Sequence, residues 1–206
     1  MTSLAFGVLI ALGYFVYVKT KPAGSMPKPT ALDFSVDIPP KDSLKGNVSQ
    51  LSGDVFWESR SATSPALIKN LKAVQQGESL QTGDNGKIAL EFPGAAAINM
   101  ANNSMLSIIQ TLPANLVFEQ MSGKISFEKT GQPPLSARVF HLLVSIDGTA
   151  TIDINKTSQR VTVTDNRGDS TLGFEDINNV SQVIKLTAGQ QYVFDDESRS
   201  GEVIGL

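Results

Sequence analysis

From Asn47 onward the chain alternates apolar and polar residues with a period of two, and nothing else in it constrains the fold as strongly. Lys87-Ile88-Ala89-Leu90-Glu91-Phe92 places Ile88, Leu90 and Phe92 on one face. Lys124-Ile125-Ser126-Phe127-Glu128, Ala150-Thr151-Ile152-Asp153-Ile154 and Arg160-Val161-Thr162-Val163-Thr164 repeat the arrangement. Successive strand side chains point to opposite faces, so each run buries one side and wets the other. Turn residues separate the runs: Gly83-Asp84-Asn85-Gly86, Pro93-Gly94, Asn102-Asn103, Asp147-Gly148, Asn166-Arg167-Gly168 and Ala188-Gly189. The expectation is an all-β domain over residues 47–206, antiparallel or β-helix-like, built of strands of four to seven residues as a sandwich, roll or β-helix-like stack. Beyond the N-terminal segment, the only helical turn expected lies near Ala66 to Lys72.

Composition narrows the function. The chain has 206 residues, of which 41% are hydrophobic, enough for one domain with a real core plus a tether. With 17 basic and 20 acidic residues, a net charge of −3 and no basic stripe, nucleic acid is not an expected partner. The absence of cysteine removes disulfides, Cys-type zinc sites and a thiol nucleophile together.

The N-terminal residues 1–18 carry no charged side chain, and the apolar run Leu4–Val18 ends at Lys19 and Lys21. As a helix, that run rises ~22 Å against a hydrocarbon core of ~30 Å, and Met1–Ser3 lengthen it to ~27 Å. Tyr14 and Tyr17 sit beside the lysines, where amphipathic rings favour the interface. Residues 1–19 are therefore expected to form a transmembrane anchor. A cleaved signal peptide and a buried core helix are the alternatives; Lys21-Pro22 before Ala23-Gly24-Ser25 makes a poor cleavage site. The β domain is expected outside the cytoplasm, although Lys19 and Lys21 favour the opposite orientation by the positive-inside tendency. Residues 20–46 then form a linker with Pro22, Pro27, Pro29, Pro39 and Pro40, a density that forbids regular helix. Within it, Leu32-Asp33-Phe34-Ser35-Val36-Asp37-Ile38 alternates like a strand and is expected to dock on an edge of its own domain or on a partner.

Several stretches resemble FecR-type domains. Gln76-Gly77-Glu78-Ser79-Leu80-Gln81-Thr82-Gly83-Asp84-Asn85-Gly86-Lys87-Ile88-Ala89-Leu90-Glu91-Phe92 is similar to that family's G-(D/E)-x-L-x-T-G stretch, its following glycine and its alternating strand. Ile98 to Leu106 resembles the family's L-x-L-x-P-N-S-x-L, with Asn103 and Ser104 in the matching positions. Ser122-Gly123-Lys124-Ile125, Asp147-Gly148-Thr149-Ala150 and Leu186-Thr187-Ala188-Gly189-Gln190 follow in the family's order, so the likeness spans about Asn47 to Phe194. Two departures stand out: Pro93-Gly94 where Asp-Gly is common, and no recognisable G-T-x-F-x-V segment. The resemblance implies a structural signature of Gly77, Leu80, Thr82, Gly83, Gly86, Leu90, Phe92, Asn103, Ser104, Gly123, Gly189 and Gln190. In it Gly77, Gly83 and Gly86 supply positive φ, and Thr82 and Ser104 cap backbone amides. Family members that regulate sigma factors carry a cytoplasmic helical segment before the membrane helix. Only Met1–Ser3 precede the expected span here, which argues against that relay.

No catalytic constellation is read from the sequence. His141 is the only histidine, and a metal would need further ligands that no other His or Cys supplies, so a packed or edge-strand histidine is expected. Asp195-Asp196-Glu197 lacks the spaced oxygen ligands of a calcium loop and reads as a solvated turn. Ser52, Ser59, Ser61 and Ser64 sit in no nucleophile elbow, and Gly83–Gly86 is a hairpin turn rather than a phosphate cradle. Phe56 and Trp57 point to opposite faces of a strand, which makes one of them a candidate contact residue.

The reading is a non-enzymatic bacterial inner-membrane protein with its β domain in the periplasm, using no cofactor or metal. It is expected to bind protein partners as a scaffold or accessory subunit of an envelope assembly such as motility, secretion or pilus machinery. The alternative is a signal-sensing regulator related to FecR-type sigma-factor regulators; whether the chain forms homo- or hetero-oligomers stays open. One cysteine placed in the Asp195–Ser200 loop tests sidedness: it should react with an impermeant maleimide on intact spheroplasts, and labelling only after lysis would place the domain in the cytoplasm.

Overall fold

The computed structural model describes residues 39–205. The expected anchor of residues 1–19 and the strand-like Leu32–Ile38 lie outside the described residues. Among the described residues no helix is long and apolar enough to cross a membrane. The chain runs β1 (Gly46–Ser52), β2 (Val55–Glu58), β3 (Ala66–Leu67), β4 (Ala73–Val74), β5 (Ser79–Thr82), β6 (Lys87–Phe92), β7 (Ala96–Met100) and β8 (Met105–Leu112). It continues through β9 (Asn115–Lys129), β10 (Leu135–Val139), β11 (Leu142–Asn155), β12 (Arg160–Glu175), β13 (Ser181–Thr187), β14 (Gln190–Asp195) and β15 (Ser200–Gly205). The fold is all-β, and the helical turn expected near Ala66–Lys72 is instead occupied by the two residues of β3 and irregular backbone.

Among the described residues, all fifteen strands belong to one open, mixed sheet. Most neighbours are antiparallel, but β9 and β10 run parallel, with Leu116 opposite Leu135. Three strands are far longer than the expected four to seven residues: β9 has 15, β11 has 14 and β12 has 16. Their two halves pair with different neighbours. Residues 115–122 of β9 pair with β8 and β10, whereas residues 123–129 pair with β7 and β11. Likewise β12 pairs with β14 through Arg160–Thr164 and with β13 through Asp169–Glu175.

The sheet therefore forms two layers that share three strands. One layer reads β3-β2-β5-β8-β9-β10-β11-β12-β13, and the other β4-β1-β6-β7-β9-β11-β12-β14-β15. Rings from the two layers meet between them. Phe92 of β6 and Phe118 of β9 have centroids 5.3 Å apart, and Phe174 of β12 lies 4.9 Å from Phe194 of β14. Phe92, Phe118, Phe127 and Phe194 are fully buried, each removing well over 100 Å² of apolar surface from water. Of the expected sandwich, roll or β-helix-like stack, the structure shows an all-β, open mixed sheet folded into two facing layers.

Asp147-Gly148 and Asn166-Arg167-Gly168, read from sequence as turns, lie mid-strand and facing one another. Gly148 of β11 is directly opposite Gly168 of β12, with φ of 146° and 90°. A Cβ on Gly148 would fall on the carbonyl of Arg167, and one on Gly168 on the carbonyl of Asp147. Two backbones approach here at a distance that only glycine permits. Beside this pair the register slips: Thr149 faces Arg167 and Ala150 faces Asp165, leaving Asn166 as an extra residue. The bulge reverses the alternation, so that β12 buries Val161, Val163 and Asp165 before it and Ser170, Leu172 and Phe174 after it. β9 does the same around Met121 and Gly123, burying Leu116, Phe118 and Gln120 and then Ile125 and Phe127. One added residue keeps the apolar face inward as each strand passes between layers.

Gly148→Ala and Gly168→Ala should each cost about 2 kcal/mol or more of unfolding free energy in urea titrations. Gly173→Ala, where an added Cβ meets nothing within 4 Å, should stay within about 0.5 kcal/mol. Equal costs at all three positions would remove the close-approach explanation.

Candidate interaction surface

The residues of the sequence signature assemble the turns and core at the start of the sheet. Leu80, Leu90 and Phe92 are buried on β5 and β6. Thr82 is 1% exposed; its Oγ1 accepts from Ser104 N at 2.9 Å and donates to Ala101 O at 2.6 Å. Ser104 Oγ in turn accepts from Lys124 N at 3.0 Å. These two hydroxyls tie β5, the β7–β8 turn and the bend of β9, where Gly123 adopts a φ of 74°. Asn103 sits at φ 56° and donates its N–H to Gly83 O. Of the three glycines expected at positive φ, only Gly77 has it, at 86°. Gly83 and Gly86 serve through close approach instead: Gly83 N donates to Asp54 O, and a Cβ on Gly86 would strike that same carbonyl. At the far end Gly189 N donates to Asp165 O, and Gln190 Oε1 accepts from Thr187 N.

Phe56 and Trp57 lie on β2, both half-buried. Trp57 packs against the core and carries the Lys72 ammonium 2.9 Å from its ring centroid, a cation–π contact. Burial there pushes the Lys72 amine below its ordinary range, with Glu78 pulling it back up. Phe56 lines a crevice of about 10 Å³ with Pro65, Gln81 and Met105, too small for a ligand. The pair is thus partly covered by its own domain.

His141 is neither packed nor in a strand. It occupies the β10–β11 turn with its side chain 51% exposed, next to Phe140 at φ 50°. Its Nδ1 lies 2.9 Å from Asp196 Oδ1, its backbone N–H donates to the same oxygen, and Arg199 Nη2 reaches Nε2 at 3.2 Å. The cluster latches the β10–β11 turn to the β14–β15 turn. The neighbouring Asp195 carboxyl is held below its usual range by the Ser198 N–H and hydroxyl. Among the described residues, no group of three or more His, Asp or Glu could hold a metal ion.

Among the described residues, the exposed apolar side chains concentrate in the C-terminal half. Ile177, Val180 and Val183 on the β12–β13 hairpin are 67%, 53% and 67% exposed, and Leu143 is exposed on β11. Leu143 and Val183 both flank Gly173 in register, so one outer face presents two apolar side chains around a position without one. β15 contributes Val203 and Ile204. Sequence reasoning missed this face because each residue alone is an ordinary strand side chain, and only the register brings them together. The fully buried Asp165, whose two oxygens have no hydrogen-bond partner, was legible: alternation puts it on the face of Val161 and Val163.

No protein-family model and no curated protein sequence matches the chain. Among solved structures, two crystal structures of a candidate anti-sigma factor from Parabacteroides distasonis ATCC 8503, at 2.50 and 1.65 Å resolution, are similar. Each superposes with a TM-score of 0.52 at 11% identity, over 62% of this chain and 59% of the other. The match thus spans about three fifths of that protein's length, and at this identity the likeness is one of fold.

Thr82→Val, which keeps the volume but removes the hydroxyl shared by Ser104 and Ala101, should cost about 1–3 kcal/mol in chemical denaturation. A change under about 0.5 kcal/mol would mean that the β5–β8–β9 junction is held by packing alone.

Proposed function

We propose that this chain is the membrane-anchored, non-enzymatic β module of a signal-sensing regulator of the anti-sigma type, with the sheet outside the cytoplasm and residues 4–18 in the bilayer. The observation that carries this reading is the folded sheet's similarity to the candidate anti-sigma factor structures. The ordered FecR-like stretches between Asn47 and Phe194 support it independently. In such a regulator the module's task is to contact another envelope component and to pass that contact to a regulatory partner held at the same membrane. Confinement to a membrane raises the effective concentration of a modest-affinity surface, so large interfaces are not required.

A second reading is favoured by the apolar β12–β13 face. Ile177, Val180 and Val183 form the kind of patch that a permanent partner covers, which suits a structural subunit of an envelope assembly. Cross-linking in native membranes followed by identification of the adducts separates the two. The regulator reading expects one regulatory partner and an altered transcript set when the chain is deleted. A large stoichiometric complex with unchanged transcription would establish the assembly subunit instead.

A further inference from the structure

We propose that β15 is a self-pairing edge through which two copies of this chain join antiparallel into one continuous sheet. β15 ends its layer: it pairs with β14 on one side, from Gln190 opposite Gly205 to Asp195 opposite Ser200, and its other side has no partner strand among the described residues. All six of its residues are exposed. Such an edge offers a row of backbone donors and acceptors.

The side chains of β15 do not have the pattern of an edge built to stay free. Val203 lies opposite Tyr192 and Gly201 opposite Phe194, and both aromatic rings are buried in the core. Val203 therefore stands on the core-facing side of the sheet and yet is 47% exposed. The apolar face runs on past the last strand that covers it. Free edges are usually blunted by lysine, proline, a bulge or extreme shortness. β3 and β4 are two residues long, and β13 carries Lys185. β15 has six residues, no lysine, no proline and an unbroken register with β14.

Charge selects a second copy as the occupant. With a two-fold axis through Val203, antiparallel pairing sets Val203 against its symmetry mate, Glu202 against Ile204, and Gly201 against Gly205. Glu202, the one charge on the strand, never meets itself, and the two valines close over the uncovered core face. An axis through Glu202 would put two carboxylates opposite each other, which costs stability. This association goes beyond the regulatory reading and holds whichever envelope component is the partner.

The chain has no cysteine, so single replacements report pairing directly. The full-length Val203→Cys variant, oxidised in its own membranes, should form a disulfide-linked dimer about tenfold faster than Lys185→Cys on β13, because pairing raises the local thiol concentration. Full-length protein in detergent should sediment as a dimer, and Val203→Lys should shift it to monomer with an unchanged far-ultraviolet dichroism spectrum. Equal cross-linking at the two positions, or a monomer at all concentrations, would overturn the proposal. Cross-linking of Val203→Cys to a different protein with no homodimer would overturn the choice of occupant.

Discussion

The structure depends on three strands that serve two layers at once. β9, β11 and β12 leave one layer and enter the other without ending; β7, β8, β10, β13 and β14 pair directly with one half or the other of them, and the remaining strands attach through these. The device that allows this is local. Gly148 and Gly168 let two backbones approach without a Cβ, and single extra residues at Met121 and Asn166 turn the strands so that their apolar sides stay inward. Without the bend, each layer would present an apolar face to water. With it, Phe92, Phe118, Phe174 and Phe194 close the space between the layers from rings contributed by both.

Much of this was legible in the sequence, and the misreadings have one cause. Alternation located the inward residues Ile88, Leu90, Phe92, Ile125, Phe127, Ile152 and Val163, because a period of two is a property of the strand itself. The same rule, carried one residue past Thr164, would have placed Asp165 inside, a position the sequence reading did not single out. Strand length was misjudged because Asp147-Gly148 and Arg167-Gly168 have the composition of turns. A glycine next to a polar residue ends a strand or bends it according to what lies opposite, and opposition is a long-range fact. The meeting of His141 with Asp196 and Arg199, which are 55 and 58 residues away, was hidden for the same reason. The resemblance to FecR-type domains pointed toward the right fold class without supplying the topology.

The surfaces divide in the same way. The part of the sheet that carries the signature residues from Gly77 to Gly123 is tied by buried hydroxyls and short turns, which makes it a framework. The strands from β10 onward carry the latched turns of His141 and Asp196, the apolar β12–β13 hairpin and the open outer edge of β15. The proposed recognition surfaces all fall on the strands from β10 onward, toward the end of the layer order opposite β1. Phe56 and Trp57 belong to the framework half, and Lys72 already covers one of them.

Native-state hydrogen exchange tests the central claim, that the shared strands make both layers one cooperative unit. Amides on both sides of Gly123, Gly148 and Gly168 should exchange with the same, global free energy, whether they belong to the β8 and β13 layer or to the β7 and β14 layer. Protection that divides at those glycines, with one layer opening at markedly lower free energy than the other, would contradict it.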